Sequence, residues 1–255
     1  MKKLIILSLT CLSLTACSVL GKVNWNQDAL ASAAGKVITA ASIPDDQIIA
    51  LCKASIVQMD AQSVIDKGEY KERLSRLMKG VNKAGKLPVN FEVYRTSEIN
   101  AFACGDGSIR VYSGLMDVMT DEELVAIIGH EIGHLVHEDT KNAMKKAYLA
   151  SAAVDVVAAA GTVGAITAGT LGEITQAFLN AQFSQKQEFA ADEYGFDFAI
   201  SRGMSPYSMN KALEKLVSLS GSKSSASAVA KMFSSHPNSA ERAERMKQKA
   251  DNYKK

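Results

Sequence analysis

The sequence predicts an α+β domain, mainly helical, with a small antiparallel or mixed sheet placed just before one central helix. Three observations predict it. Apolar residues recur at helical intervals through residues 48–59, 69–83 and 173–202. Period-two alternation is confined to residues 89–95 and to two short runs, 101–104 and 108–113, that flank a Gly105-Asp106-Gly107 turn. Directly after them, Thr120 and Glu123 form a capping box in front of Leu124, Ile127, Ile128, Ile132 and Leu135.

From the N-terminus, residues 1–13 are a basic head and an apolar run too short to cross a bilayer, the pattern of a secretory signal peptide. Leu14-Thr15-Ala16-Cys17 resembles a bacterial lipobox. That resemblance implies cleavage before Cys17 and acylation of the cysteine. With Ser18 rather than Asp next, it implies the periplasmic face of a Gram-negative outer membrane. Several acyl chains on one residue anchor stably where a single chain binds marginally. Residues 1–16 are then the signal, 17–44 a lipid-anchored tether and helix, and 45–255 the folded domain.

Processing also sets the charge and the cysteine count. The formal charge of +2 is matched by Lys2 and Lys3, which leave with the signal, so nothing favours a nucleic-acid partner. Of the four cysteines, Cys11 is removed and Cys17 lipidated. Cys52 and Cys104 remain, as a disulfide of an oxidising compartment or as buried free thiols. With 47% hydrophobic residues the chain has ample material for one packed domain.

Downstream of the central helix, residues 147–172 are rich in Ala, Val and Gly. A membrane span, a membrane-facing excursion near the site and a buried helical hairpin are all readings of it. Asp155 and the glycines Gly161, Gly164 and Gly169 weigh against the span. Residues 173–202 read as one helix ended by Gly203, with Ser205 and Pro206 opening the next. Residues 219–227 read as a loop, and a charged helix closes the chain.

The chemistry lies in the central helix, at His130-Glu131-Ile132-Gly133-His134. Two histidines four apart share one helical face and can converge on a metal, with Glu131 beside whatever else that metal binds. A hydrolytic zinc takes three protein ligands and keeps one position open. His137 is close to the same face but lies about 10 Å along an uninterrupted helix from His130, too far to share the ion. Glu188 fits better, since Glu188 and Asp192 place two carboxylates on one face of a later helix, one to bind and one to grip a ligand imidazole.

These residues carry a resemblance. His130-Glu-Ile-Gly-His134 with Glu188-x-x-x-Asp192 resembles the M48 family of zinc metallopeptidases, gluzincins of zincin-like fold. Asn100-Ala-Phe-Ala through Arg110-Val-Tyr-Ser-Gly-Leu115 is similar to the family's strands before the active-site helix, and His236-Pro followed by Arg242 to its C-terminal segment. With the lipobox, the likeness is to periplasmic lipoprotein members. It implies one Zn²⁺ per chain held by His130, His134 and Glu188, with Asp192 behind them. Glu131 would be general base and then acid, and residues 109–112 would pair with an extended substrate. His236 and Arg242 would stabilise the oxyanion, or His236 would cap the zinc. A loop histidine and a capping arginine are the plainer reading of those two. The implied partners are unfolded polypeptides, the membrane through the lipid anchor, and other outer-membrane assembly or quality-control proteins. The competing class is a periplasmic chaperone or assembly factor that uses zinc structurally.

Overall fold

The computed structural model describes residues 43–151, 166–221, 225–237 and 239–253. The signal, Cys17, the tether helix and the middle of the Ala/Gly-rich stretch lie outside the described residues. The domain starts with helix α1 (Asp45–Gln62) and α2 (Glu69–Leu77). A two-stranded ribbon follows, β1 (Lys83–Ala84) with β2 (Leu87–Pro88), and then β3 (Asn90–Tyr94), β4 (Ala101–Ala103) and β5 (Ser108–Tyr112). The rest is helical: α3 (Ser113–Val118), α4 (Asp121–Val136), α5 (Asp139–Ala150), α6 (Ala168–Leu179), α7 (Gln185–Ser201), α8 (Ser208–Gly221), α9 (Ala226–Ser235) and α10 (Ser239–Asp251).

The main sheet is mixed, in the order β3-β5-β4. Strand β5 pairs in parallel with β3 and antiparallel with β4, so its backbone is engaged on both sides. This corrects the expectation that residues 109–112 pair with substrate. The free edge belongs to β4. Asn100 and Cys104 bond to Tyr112 and Ser108 of β5, and the antiparallel alternation therefore turns the backbone groups of Ala101 and Ala103 outward.

Every residue of β5 is buried, Arg110 included. Its guanidinium is satisfied by both oxygens of Asp60 at 2.9 Å and by Asn90 at 2.8 Å, and Tyr94 donates to Asp60 at 2.6 Å. That network pins α1 to the sheet, and Asp60 is held below its ordinary pKa by the arginine and tyrosine against the opposing effect of burial.

Helix α4 runs through the centre of the core. Thr120 and Glu123 make the capping box, and each residue from Glu123 to Leu135 is buried. Its main partner is α7, which approaches at Gly195. A Cβ there would lie 2.7 Å from the Ala126 carbonyl oxygen and 2.9 Å from the His130 nitrogen, both backbone atoms of α4. The glycine therefore sets the depth at which the two helices that carry the site sit against each other.

Two expected boundaries move. The helix expected over residues 69–83 stops at Leu77. Gly80, at φ +83, turns the chain, and Gly85, at φ +58, closes the β1–β2 ribbon. The helix expected over residues 173–202 is two helices, because Ser184 and Gln187 form a second capping box that starts α7 afresh. Of residues 219–227, 219–221 end α8 and 226–227 begin α9. The flanks of the Ala/Gly-rich stretch are buried: Met144, Ala147 and Tyr148 of α5 share one apolar cluster with Ile174 and Phe178 of α6. Among the described residues no helix is long and apolar enough to cross a membrane.

Gly195→Ala tests the helix approach. Alanine is better than glycine by about 1 kcal/mol in a helix interior, but displacing backbone in a packed core costs about 1–3 kcal/mol. The expected result is a lower urea midpoint; an unchanged or raised midpoint would show that the contact tolerates a methyl group.

Candidate metal centre

Helix α4 presents His130 and His134 one turn apart, both buried. Each is held from behind through Nδ1. His130 meets Asp192 Oδ1 of α7 at 2.9 Å, and His134 meets Asp139 Oδ2, in the first turn of α5, also at 2.9 Å. A carboxylate facing Nδ1 accepts a hydrogen bond from the N–H there, which keeps the ring proton on Nδ1 and turns Nε2 forward. The two Nε2 atoms then point at each other across 3.0 Å. Two lone pairs in that position are reconciled by a proton on one nitrogen or by a metal ion between them.

The other donors complete the set. Glu188, on α7, lies 3.4 Å from His134 Nε2 through Oε1 and 3.7 Å from His130 Nε2 through Oε2. His236, just past α9, lies 3.0 Å from Glu188 Oε1 through Nδ1. The ligand atoms of His130, His134, Glu188 and His236 all fall within 4.8 Å of one another. Ligands about 2.0–2.2 Å from a tetrahedral zinc stand about 3.3 Å apart, so the observed spacings fit that ion. Glu131 Oε1 is buried, has no hydrogen-bond partner among the described residues, and lies 3.8 Å from His236 Nε2.

The electrostatics follow the same plan. Burial disfavours charge on Glu188, yet the surrounding imidazoles hold its carboxyl far below the usual range. Asp192 is likewise held low against burial, chiefly by Arg242. Arg242 bonds both Asp192 oxygens at 2.7 Å and pairs with Glu188. Those bonds commit the arginine chiefly to orienting two carboxylates. Burial lowers the pKa of His130. On His134 burial acts the same way, but hydrogen bonds to Asp139 and Glu188 overcome it and raise the value to about 9.

The structure thus brings together His130, Glu131, His134, Glu188, Asp192, His236 and Arg242. His137 stands apart, exposed at the C-cap of α4 with its ring edge-on to Tyr194. Cys52 and Cys104 are both buried and both free thiols. They lie side by side, and burial together with the Cys52 neighbour pushes the Cys104 thiol up. Asp139 had not been anticipated as a carboxylate behind His134. Its signal is an acid in the first turn of the helix that follows the motif.

Beside the cluster runs a narrow cavity of about 30 Å³. One wall is the free edge of β4, and the other includes Phe178, Phe183 and His236, with Glu131 facing in. A water needs about 10–15 Å³, so this space admits water but no peptide until the wall moves.

The sequence model of Peptidase family M48 matches residues 65–250. The chain is 39% identical over 232 residues to Metalloprotease LoiP of Escherichia coli (strain K12), covering 89% of this chain and 90% of that one. It is 35% identical over 212 residues to Metalloprotease YcaL of the same organism, covering 82% of each. To the Beta-barrel assembly-enhancing protease of that organism it is 30% identical over 154 residues, 56% of this chain and 31% of that one.

Because His134 holds a proton up to about pH 9 without metal, that part of the metal-free domain's stability is complete below about pH 6.5 and disappears as the pH rises through 9. Zinc must displace the proton. At pH 7.5, binding is expected to release about one proton, and at pH 10.5 almost none, read from calorimetry in buffers of different ionisation heat. Heats independent of the buffer at pH 7.5 would contradict this.

Proposed function

The chain belongs to peptidase family M48 and is a zinc metalloendopeptidase, and we propose that it cleaves unfolded or misassembled envelope proteins from the periplasmic face of the outer membrane. The observation that carries the catalytic reading is the buried His130, His134 and Glu188 triangle with the unpartnered Glu131 Oε1 at its open side. The lipobox ending at Cys17 supports the location. The beta-barrel assembly-enhancing protease among its relatives supports a substrate from the same compartment. Partners there would be unfolded chains and other assembly or quality-control proteins.

His130, His134 and Glu188 would hold the zinc, and Asp192 and Asp139 would fix the two imidazoles behind it. Zinc, when bound, supplies a Lewis acid that acidifies water and polarises a carbonyl. Glu131 takes the proton of the attacking water and delivers it to the departing amine. An extended substrate adds to β4 through the outward backbone groups of Ala101 and Ala103, which gives affinity with little demand on sequence. His236, on the cavity wall with Nε2 3.8 Å from Glu131 Oε1, would stabilise the oxyanion. The same imidazole falls within the group that could hold the metal, so it would alternatively cap the zinc as a fourth ligand. The thiols of Cys52 and Cys104, free in this structure and adjacent, would tie α1 to the turn after β4 if the periplasm oxidised them to a disulfide.

Glu131→Gln tests the mechanism. The variant is expected to keep one zinc per chain and to lose about 10²–10⁴-fold in the rate of casein cleavage. Cleavage at the wild-type rate would exclude Glu131 as the base.

A further inference from the structure

The capping boxes of α4 and α7 differ at the third helical position, and that difference points at the metal. In α4 the third helical position is Glu123, whose carboxylate accepts from the Thr120 backbone at 2.8 Å and ion-pairs with Lys215. In α7 the equivalent position is Gln187. Its Oε1 accepts from the Ser184 backbone N–H at 2.9 Å and from the Ser184 hydroxyl at 2.8 Å. Its Nε2 donates to Asp139 Oδ1 at 2.6 Å. The other oxygen of Asp139 holds His134 Nδ1.

A glutamate would cap the helix equally well but could not donate to Asp139, and it would set two carboxylates against each other. The amide does both tasks, and it does them at the end of the helix that carries Glu188. The residue before the cap adds a third contact, since the Phe183 ring stacks on His134 at 4.1 Å between centroids and 20° between planes.

We propose that Gln187 is a positioning residue for the metal, coupling the cap of α7 through Asp139 to the His134 imidazole. The capping box and the metal site are then one hydrogen-bonded unit. Loss of the amide donor leaves a buried Asp139 oxygen unpaired and frees the carboxylate that fixes the tautomer and plane of His134. This rests on His134 being a zinc ligand, as proposed above.

The test uses the full chain, stripped of metal with chelator and titrated with zinc against a competing chelator and with cobalt(II) by visible absorption. Gln187→Glu keeps the cap and removes the donor. It is expected to weaken zinc binding about 10–100-fold and to change the cobalt bands, with a lowered metal-free urea midpoint from the unpaired Asp139 oxygen. Ser184→Ala is the reciprocal variant: it lowers the midpoint while zinc affinity holds within about threefold, since the Gln187 amide keeps its bond to Asp139. Should Gln187→Glu not fold, Gln187→Met removes the donor without adding charge and is expected to weaken zinc about tenfold. Wild-type affinity and cobalt spectrum in Gln187→Glu or Gln187→Met would overturn the proposal. So would an equal loss of affinity in Ser184→Ala, which would make the effect one of helix capping alone. A wild-type chain that takes up no zinc would instead overturn the metal assignment beneath it.

Discussion

The constraint on which the rest depends is the burial of four carboxylates around three imidazoles. Glu131, Asp139, Glu188 and Asp192 are all at most 6% exposed, and the cationic side chain among them is Arg242. Glu188 and Asp192 are held ionised against their burial, by the surrounding imidazoles and by Arg242, and a buried charge is costly unless it is paired. A doubly charged ion between the two Nε2 atoms would compensate these buried carboxylates further, so the charge of the site favours a metal as the donor geometry does. Until the metal arrives, a proton on His134 is the partial substitute.

That requirement explains why α4 and α7 are packed so closely. The ligands on α4 and the carboxylates on α7 must meet to within a few tenths of an ångström, and Gly195 admits the backbones to that distance. The helix starts are fixed independently by two capping boxes, so the depth of each helix is set at its end as well as along its face. The sheet has a different task. Its centre is sealed by Arg110 and Asp60, and its one useful edge, β4, is presented to the open side of Glu131. Packing, capping and edge presentation converge on one small volume.

Much of this was legible in the sequence. The central helix announced itself through Thr120, Glu123 and the apolar period, and the spacing of Glu188 and Asp192 was readable because a helix repeats its face every four residues. The break before Ser184 was hidden, since residues on both sides of it keep helical spacing; the Ser184-x-x-Gln187 signature was present but sat inside an apparent run. The role of Asp139 was hidden for a different reason. It reaches His134 around a corner made at Glu138, whose φ of +60 no residue type foretells. Arg242 lies on a helix that reads as polar and solvated, yet it is buried, because its partners come from another element. The exchange of β5 for β4 as the free edge could not be read either, since strand order is a property of tertiary pairing.

The central claim, that these residues form one zinc site, is tested most directly by anomalous diffraction at the zinc absorption edge from crystals of the purified chain. The account predicts one zinc per chain, within bonding distance of His130 Nε2, His134 Nε2 and a Glu188 carboxylate oxygen. A zinc peak elsewhere, on His137 for instance, or a fully active enzyme with no zinc peak between α4 and α7, would contradict it.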